Sequence, residues 1–127
     1  MVNFGPYQSI PSQFEGRNFY RHNPTVTLMR TTTEENRAIG QVIAEKLNMA
    51  KKNTALLLPL KGVSALDVEG QAFYGPEEDN VLFDTLKEYV DANKVEIIEV
   101  DTDLNSQKFA ETAAEKLVQL LEAQKEN

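Results

Sequence analysis

Apolar residues along this chain fall into two alternating rhythms. Thr25-Val26-Thr27-Leu28-Met29 alternates and reads as a first strand. Leu56-Leu57-Leu58-Pro59-Leu60 is a short continuous apolar run bounded by turn residues, which predicts a second strand over about 54–60, buried on both faces. Val95–Val100 reads as a third. Between and after them the period becomes helical. Thr32 with Glu35 three residues on matches a capping box, and the helix that follows runs to about Asn48, with Ala38, Ile39, Val42, Ile43 and Leu47 on its inner face. Gly40 inside it predicts a close approach of the backbone to the sheet. A second helix starts at Gly75-Pro76-Glu77-Glu78-Asp79, buries Leu82, Phe83, Leu86, Tyr89 and Val90, and stops near Asn93. A third spans about 106–123, capped by Asn105, with Phe109, Ala113, Leu117, Leu120 and Leu121 at helical spacing and a frayed tail over 122–127.

The first 24 residues keep no period and are broken by Pro6, Pro11, Gly16 and Pro24, yet they carry Phe4, Tyr7, Phe14, Phe19 and Tyr20. They read as an ordered, mostly extended arm packed on the body or on a neighbouring chain. The fold expected is α/β: an extended aromatic arm over 1–24 and a βαβαβα body over 25–127, a two- or three-layer Rossmann-like half-domain with a small parallel sheet. The Leu-rich strand is placed in the middle. Three parallel strands are few for a stable open sheet, so the arm, a second copy of the chain or a partner polypeptide is expected to complete it.

Composition narrows the function classes. In 127 residues the net charge is −7 and the pI is about 4.7, which argues against nucleic acid or an anionic membrane as the main partner. No apolar run approaches the ~18 residues that span a bilayer, and the N-terminus lacks signal-peptide character. The absence of cysteine excludes disulfides and thiolate metal sites. The expected setting is cytoplasmic.

In open α/β sheets ligands bind beyond the carboxyl ends of the strands. Those ends supply Arg30-Thr31-Thr32, Lys61-Gly62-Val63-Ser64 and Asp101-Thr102-Asp103. The stretch 61–75 is long for an α/β connection, and loops of that excess are often functional. Thr31-Thr32-Thr33 at a helix start could cradle a phosphate, but Glu34 and Glu35 already bring negative charge there, which favours plain capping. Gly62-Val63-Ser64-Ala65-Leu66 lacks the second glycine of a nucleophile elbow. A triad of Ser64, the single histidine His22 and Asp67 is weaker than an anchoring role for His22. Magnesium on Asp101 or Asp103 has no specific motif behind it, and neither a phosphate loop nor a dinucleotide fingerprint is present.

Three blocks go further: His22-Asn23-Pro24 through Glu35-Asn36, Leu58-Pro59-Leu60-Lys61-Gly62-Val63-Ser64-Ala65-Leu66-Asp67, and Gly75-Pro76-Glu77 with Asp79. With the opening Met1-Val2-Asn3-Phe4-Gly5 they resemble the C-terminal part of an uncharacterised family. That family shares the ATP-binding region of the tomato mosaic virus resistance protein. The resemblance implies two α/β domains in full-length members, with this chain as the last portion, and ATP as the implied ligand. It places the family's motif on His22, Asn23, Arg30, Thr31, Thr32, Glu35, Lys61, Gly62, Ser64 and Asp67.

Three functional readings stand at this point. One is a nucleotide- or small-anion-binding module of a larger assembly, in which Arg30 and Lys61 neutralise the ligand while Thr31, Thr32 and Ser64 donate hydrogen bonds. Another is an enzyme on a small phosphorylated or carboxylated metabolite, with His22 or Asp67 as acid–base group. The third is a structural half-domain whose role is self-association.

Overall fold

The aromatic N-terminal segment builds a sheet. In the computed structural model, which describes residues 1–125, β1 (Val2–Phe4), β2 (Phe19–Asn23) and β3 (Val26–Met29) pair antiparallel in the order β1-β3-β2. Two short 3-10 turns, Tyr7–Ser9 and Ser12–Phe14, connect β1 to β2. The strand expected to open the parallel sheet is therefore the centre of this small antiparallel one. Its backbone edges are taken on one side by Val2–Phe4 and on the other by Phe19–Asn23, so no edge is left to join a second sheet. The β2–β3 register slips between Arg21 and Asn23, and the Asn23 side chain closes the turn by accepting from the N–H and hydroxyl of Thr25, at 2.9 and 3.0 Å. Met1–Thr32 forms one compact unit and Thr33–Asn127 another.

The second unit holds α1 (Thr33–Asn48), β4 (Thr54–Pro59), α2 (Pro76–Tyr89), β5 (Val95–Val100) and α3 (Gln107–Lys125). β4 and β5 pair parallel from Thr54↔Val95 to Pro59↔Val100, and among the described residues this sheet has two strands. The expected third strand, and with it the central position of the Leu-rich run, is not realised. Leu58 is fully buried, but Leu56 and Leu57 are only half-buried, because a two-stranded ribbon cannot cover both of its faces. The core cluster is Ala44, Leu58, Phe83, Leu86, Val90 and Val95. Each large side chain in it contributes about 1.5–3 kcal/mol of burial.

α1 packs on α2. Its buried line is Asn36, Gly40 and Ala44, with Ile43 and Leu47 partly covered, whereas the expected inner residues Ala38, Ile39 and Val42 are exposed. Gly40 explains the rotation. A Cβ there would lie 3.0 Å from Cβ and Cγ2 of Thr85, so the glycine permits close approach to helix α2 and not, as expected, to the sheet. Two asparagines tie the pair: Asn36 Nδ2 donates to the Glu78 carbonyl (2.8 Å), and Asn48 both donates to the Tyr89 carbonyl (2.8 Å) and accepts from the Asp91 N–H (2.7 Å).

α2 begins as expected, with Gly75 at the N-cap and Pro76 in the first turn. It ends at Tyr89, before the expected stop near Asn93, and Tyr89 is exposed. Asn93 instead sits in the following turn, bonded to Asp91 Oδ1. Ser106, not Asn105, caps α3: its Oγ accepts the Phe109 N–H at 3.1 Å. α3 meets β4 and stays helical to Lys125, so residues 122–125 of the expected frayed tail are ordered, while 126 and 127 lie outside the described residues. Its half-buried side is Phe109, Thr112, Ala113, Lys116 and Leu120, which leaves Leu117 and Leu121 exposed against expectation. Among the described residues, no helix is long and apolar enough to cross a membrane.

Candidate ligand-binding cleft

The long connection after β4 is held by its own backbone and one carboxylate. The pairing of the two strands continues past their ends, with the Leu60 N–H on the Val100 carbonyl and the Lys61 N–H on the Thr102 carbonyl, both at 3.0 Å. The chain then turns at Gly62, whose φ of +137° suits glycine alone; a Cβ would overlap the carbonyl oxygen of Asp67. Gly62 also accepts the Leu104 N–H through its carbonyl at 3.0 Å, which joins the two strand-end loops. Asp67 is 1% exposed. Its Oδ2 accepts the Val63 N–H and its Oδ1 the Gly75 N–H, each at 3.2 Å, so one side chain clamps both ends of the loop. The loop's interior is filled by buried Phe73, whose N–H donates to the Leu66 carbonyl at 2.8 Å.

A cleft of about 380 Å³ opens beside this loop, lined by Leu60, Lys61, Val68, Glu69, Tyr74, Pro76, Asp79 and Asp103. It therefore sits at the carboxyl ends of both parallel strands and at the first turn of α2, where strand-end sites are found. Its electrostatics are acidic. The described lining brings one basic residue, Lys61, and three carboxylates, Glu69, Asp79 and Asp103. Lys61 Nζ is itself 3.2 Å from Asp101 Oδ1. Glu77, Glu78 and Asp79 offset the positive end of the α2 dipole.

The expected site residues separate by unit. His22 is exposed beside the β2–β3 turn, which Asn23 closes. Arg30 and Thr31 follow β3 and are buried; Thr32 immediately precedes α1. In the second unit Lys61, Gly62, Ser64 and Asp67 gather along one loop. Lys61 reaches the cleft lining. Asp67 points into the loop, where both of its oxygens accept backbone N–H groups, whereas Ser64 Oγ accepts the Leu66 N–H at 3.2 Å and keeps a hydroxyl that can donate. Sequence reasoning missed Glu69 and Tyr74 as lining residues. The unusual loop length was the signal, but it does not say which residues turn inward.

The model of the C-terminal domain of the uncharacterised protein family UPF0261 matches residues 1–121. The chain belongs to this family. It is 59% identical over 96% of its length to a UPF0261 protein of Clostridium tetani, covering 30% of that protein, and 46% identical over 89% to one of Rhizobium meliloti, covering 29%. The ToMV resistance protein Tm-1(GCR237) of Solanum lycopersicum is 39% identical over 94% of the chain, which spans 16% of it. The chain thus corresponds to under a third of the length of these UPF0261 relatives.

Proposed function

We propose that this chain is a nucleotide-binding module of a larger protein, and that the ligand seats its nucleoside part in the cleft at the ends of β4 and β5. The observation that carries the reading is the coincidence of the cleft, at about 380 Å³, with the strand-end location and the α2 start. The acidic lining sets the orientation. A bare small anion would meet three carboxylates and a lysine already held by Asp101, whereas ribose hydroxyls are donors that Glu69 and Asp103 can accept. Tyr74, half exposed in the cleft lining, brings an aromatic ring on which a base could stack. Lys61 is the one basic residue of the described lining, so a phosphate chain leaving the cleft would share it with Asp101. The resemblance to an ATP-binding region makes ATP the first nucleotide to test.

The larger protein is part of the same reading. Ile39 and Val42 on α1 and Leu117, Val118 and Leu121 on α3 are exposed, and the bacterial relatives are more than three times as long. These faces receive the remainder of such a protein or a second copy of the chain.

Calorimetry on the chain with ATP, adenosine and inorganic phosphate tests the site. ATP and adenosine are expected to bind, phosphate is not, and Glu69→Gln or Tyr74→Ala is expected to weaken binding about tenfold, the equivalent of one good contact. Failure of both nucleotide and nucleoside to bind would remove the reading.

A further inference from the structure

The N-terminal unit contains a second cavity, of about 170 Å³, lined by Tyr7, Ile10, Pro11, Ser12, Phe14, Glu15 and Phe19. We infer that this cavity binds an alkylammonium head group, held by the Tyr7, Phe14 and Phe19 rings and by the Glu15 carboxylate. The inference does not depend on the nucleotide reading, since it concerns a different unit and different residues.

The size comes first. Pockets for whole drug-sized molecules run to about 300–1,000 Å³, so this one suits a head group and not an entire metabolite. The walls come next. Three of the seven lining residues are aromatic, and the rings are fixed before any ligand arrives. Phe4 stands behind two of them, 5.3 Å from Phe14 and 6.4 Å from Phe19 between ring centroids, and Tyr7 meets Phe19 at right angles at 5.8 Å. The two 3-10 turns that carry Tyr7 and Phe14 are closed by the Ser9 N–H on the Pro6 carbonyl (2.8 Å) and the Phe14 N–H on the Pro11 carbonyl (3.1 Å).

Charge then selects the occupant. The described lining brings the Glu15 carboxylate and no basic residue. Aromatic faces attract cations through the ring quadrupole, and an adjacent carboxylate adds to that attraction. The Arg21 guanidinium carbon lies 3.8 Å from the centroid of the Tyr7 ring, so one Tyr7 face is already taken by a cation of the chain itself, and Phe14, Phe19 and Glu15 carry most of the attraction for a guest. A methylated or primary ammonium is compact and suits a space too small for a planar base with its sugar. An uncharged apolar guest would gain the rings but nothing from Glu15.

The experiment compares choline with its uncharged carbon isostere 3,3-dimethylbutan-1-ol on the intact chain, by NMR titration that follows ring-current shifts of the guest methyl protons and the aromatic signals of residues 7, 14 and 19. Choline is expected to bind at least fivefold more tightly than the isostere, and Glu15→Gln, a surface change, is expected to remove most of that difference. Nα-acetyl-lysine methylamide separates a lysine side chain from a quaternary head group: binding tighter than choline assigns a lysine, and weaker binding assigns the quaternary group. Equal affinity for choline and the isostere would overturn the inference, as would choline binding that Glu15→Gln leaves unchanged, or the absence of any shift in the three rings. Phe14→Leu keeps apolar volume while removing a ring and is expected to weaken choline more than the isostere.

Discussion

Replacing Asp67 with asparagine keeps the shape of the side chain and changes only its hydrogen-bonding sense. One oxygen can still accept from either the Val63 or the Gly75 N–H, but an NH₂ group, a donor, then faces the other N–H. A hydrogen bond to a charged group contributes about 1.5–3 kcal/mol, and a buried donor left without an acceptor costs about 1–3 kcal/mol. The two figures overlap because they describe the same lost contact, so the expected loss is about 2–3 kcal/mol. Burial decides that the full cost applies: at 1% exposure no solvent can replace the missing acceptor. Urea unfolding should show a lower midpoint with an unchanged m-value. Amide exchange should show lost protection at Val63 or Gly75 in excess of the global change, because the contact lies in one loop. A midpoint within about 0.5 kcal/mol of the parent, the range of ordinary surface changes, together with unchanged protection at both amides, would refute the idea that this carboxylate organises the loop.

Gly62→Ala is expected to lose about 2–4 kcal/mol of stability by urea unfolding, since backbone strain at φ +137° adds to the overlap with the Asp67 carbonyl. Gly40→Ala should destabilise despite a helix-propensity gain of about 1 kcal/mol, because its methyl meets Thr85 at 3.0 Å; Thr85→Ser, which removes Cγ2, should recover part of the loss in a double-mutant cycle. Lys87 has its pKa raised by the Asp84 carboxylate at 3.1 Å and the Glu99 carboxylate at 3.2 Å. A raised pKa means that its stabilisation is fully present below the unfolded-state value and is lost as pH rises through the folded one, so Lys87→Met should lower the urea midpoint slightly at pH 7 and make no difference once pH is well above about 10.4.

The second unit was legible in the sequence because its signals were local. The apolar run at 56–58, the Gly75-Pro76 helix start and the excess length of 61–75 each describe one segment, and each appears in place. The corrections concern choices among partners. Strand 25–29 has β propensity whichever neighbour it takes, and only the register with 2–4 and 19–23 reveals that both of its edges are used. Apolar periodicity in α1 marked Ile39 and Val42, but the side turned to α2 is chosen by the residue with no side chain, Gly40, which hydrophobicity cannot flag. For the cleft, Lys61 and Asp103 were visible as strand-end residues, whereas Glu69 and Tyr74 enter the lining only through the path of a loop pinned by Asp67.

The exposed apolar faces permit a last test, which turns on context. Ile39, Val42, Leu117, Val118 and Leu121 are each about half exposed. Full burial of such side chains is worth about 1.5–3 kcal/mol each, so covering the exposed halves of all five would add roughly 4–7 kcal/mol. That is comparable to the whole stability of an ordinary domain, about 5–15 kcal/mol. The chain by itself therefore forgoes an amount that a covering polypeptide would supply. Val118→Lys with Leu121→Lys should leave the isolated chain within about 0.5 kcal/mol of the parent, as surface changes do. The same pair placed in a full-length relative, or in an oligomer of this chain should light scattering show one, should lower the unfolding midpoint or dissociate the assembly, because two charges would then be buried without partners. If the pair destabilises the isolated chain as much as the assembled form, α3 already packs that face internally; if it harms neither, nothing covers the face.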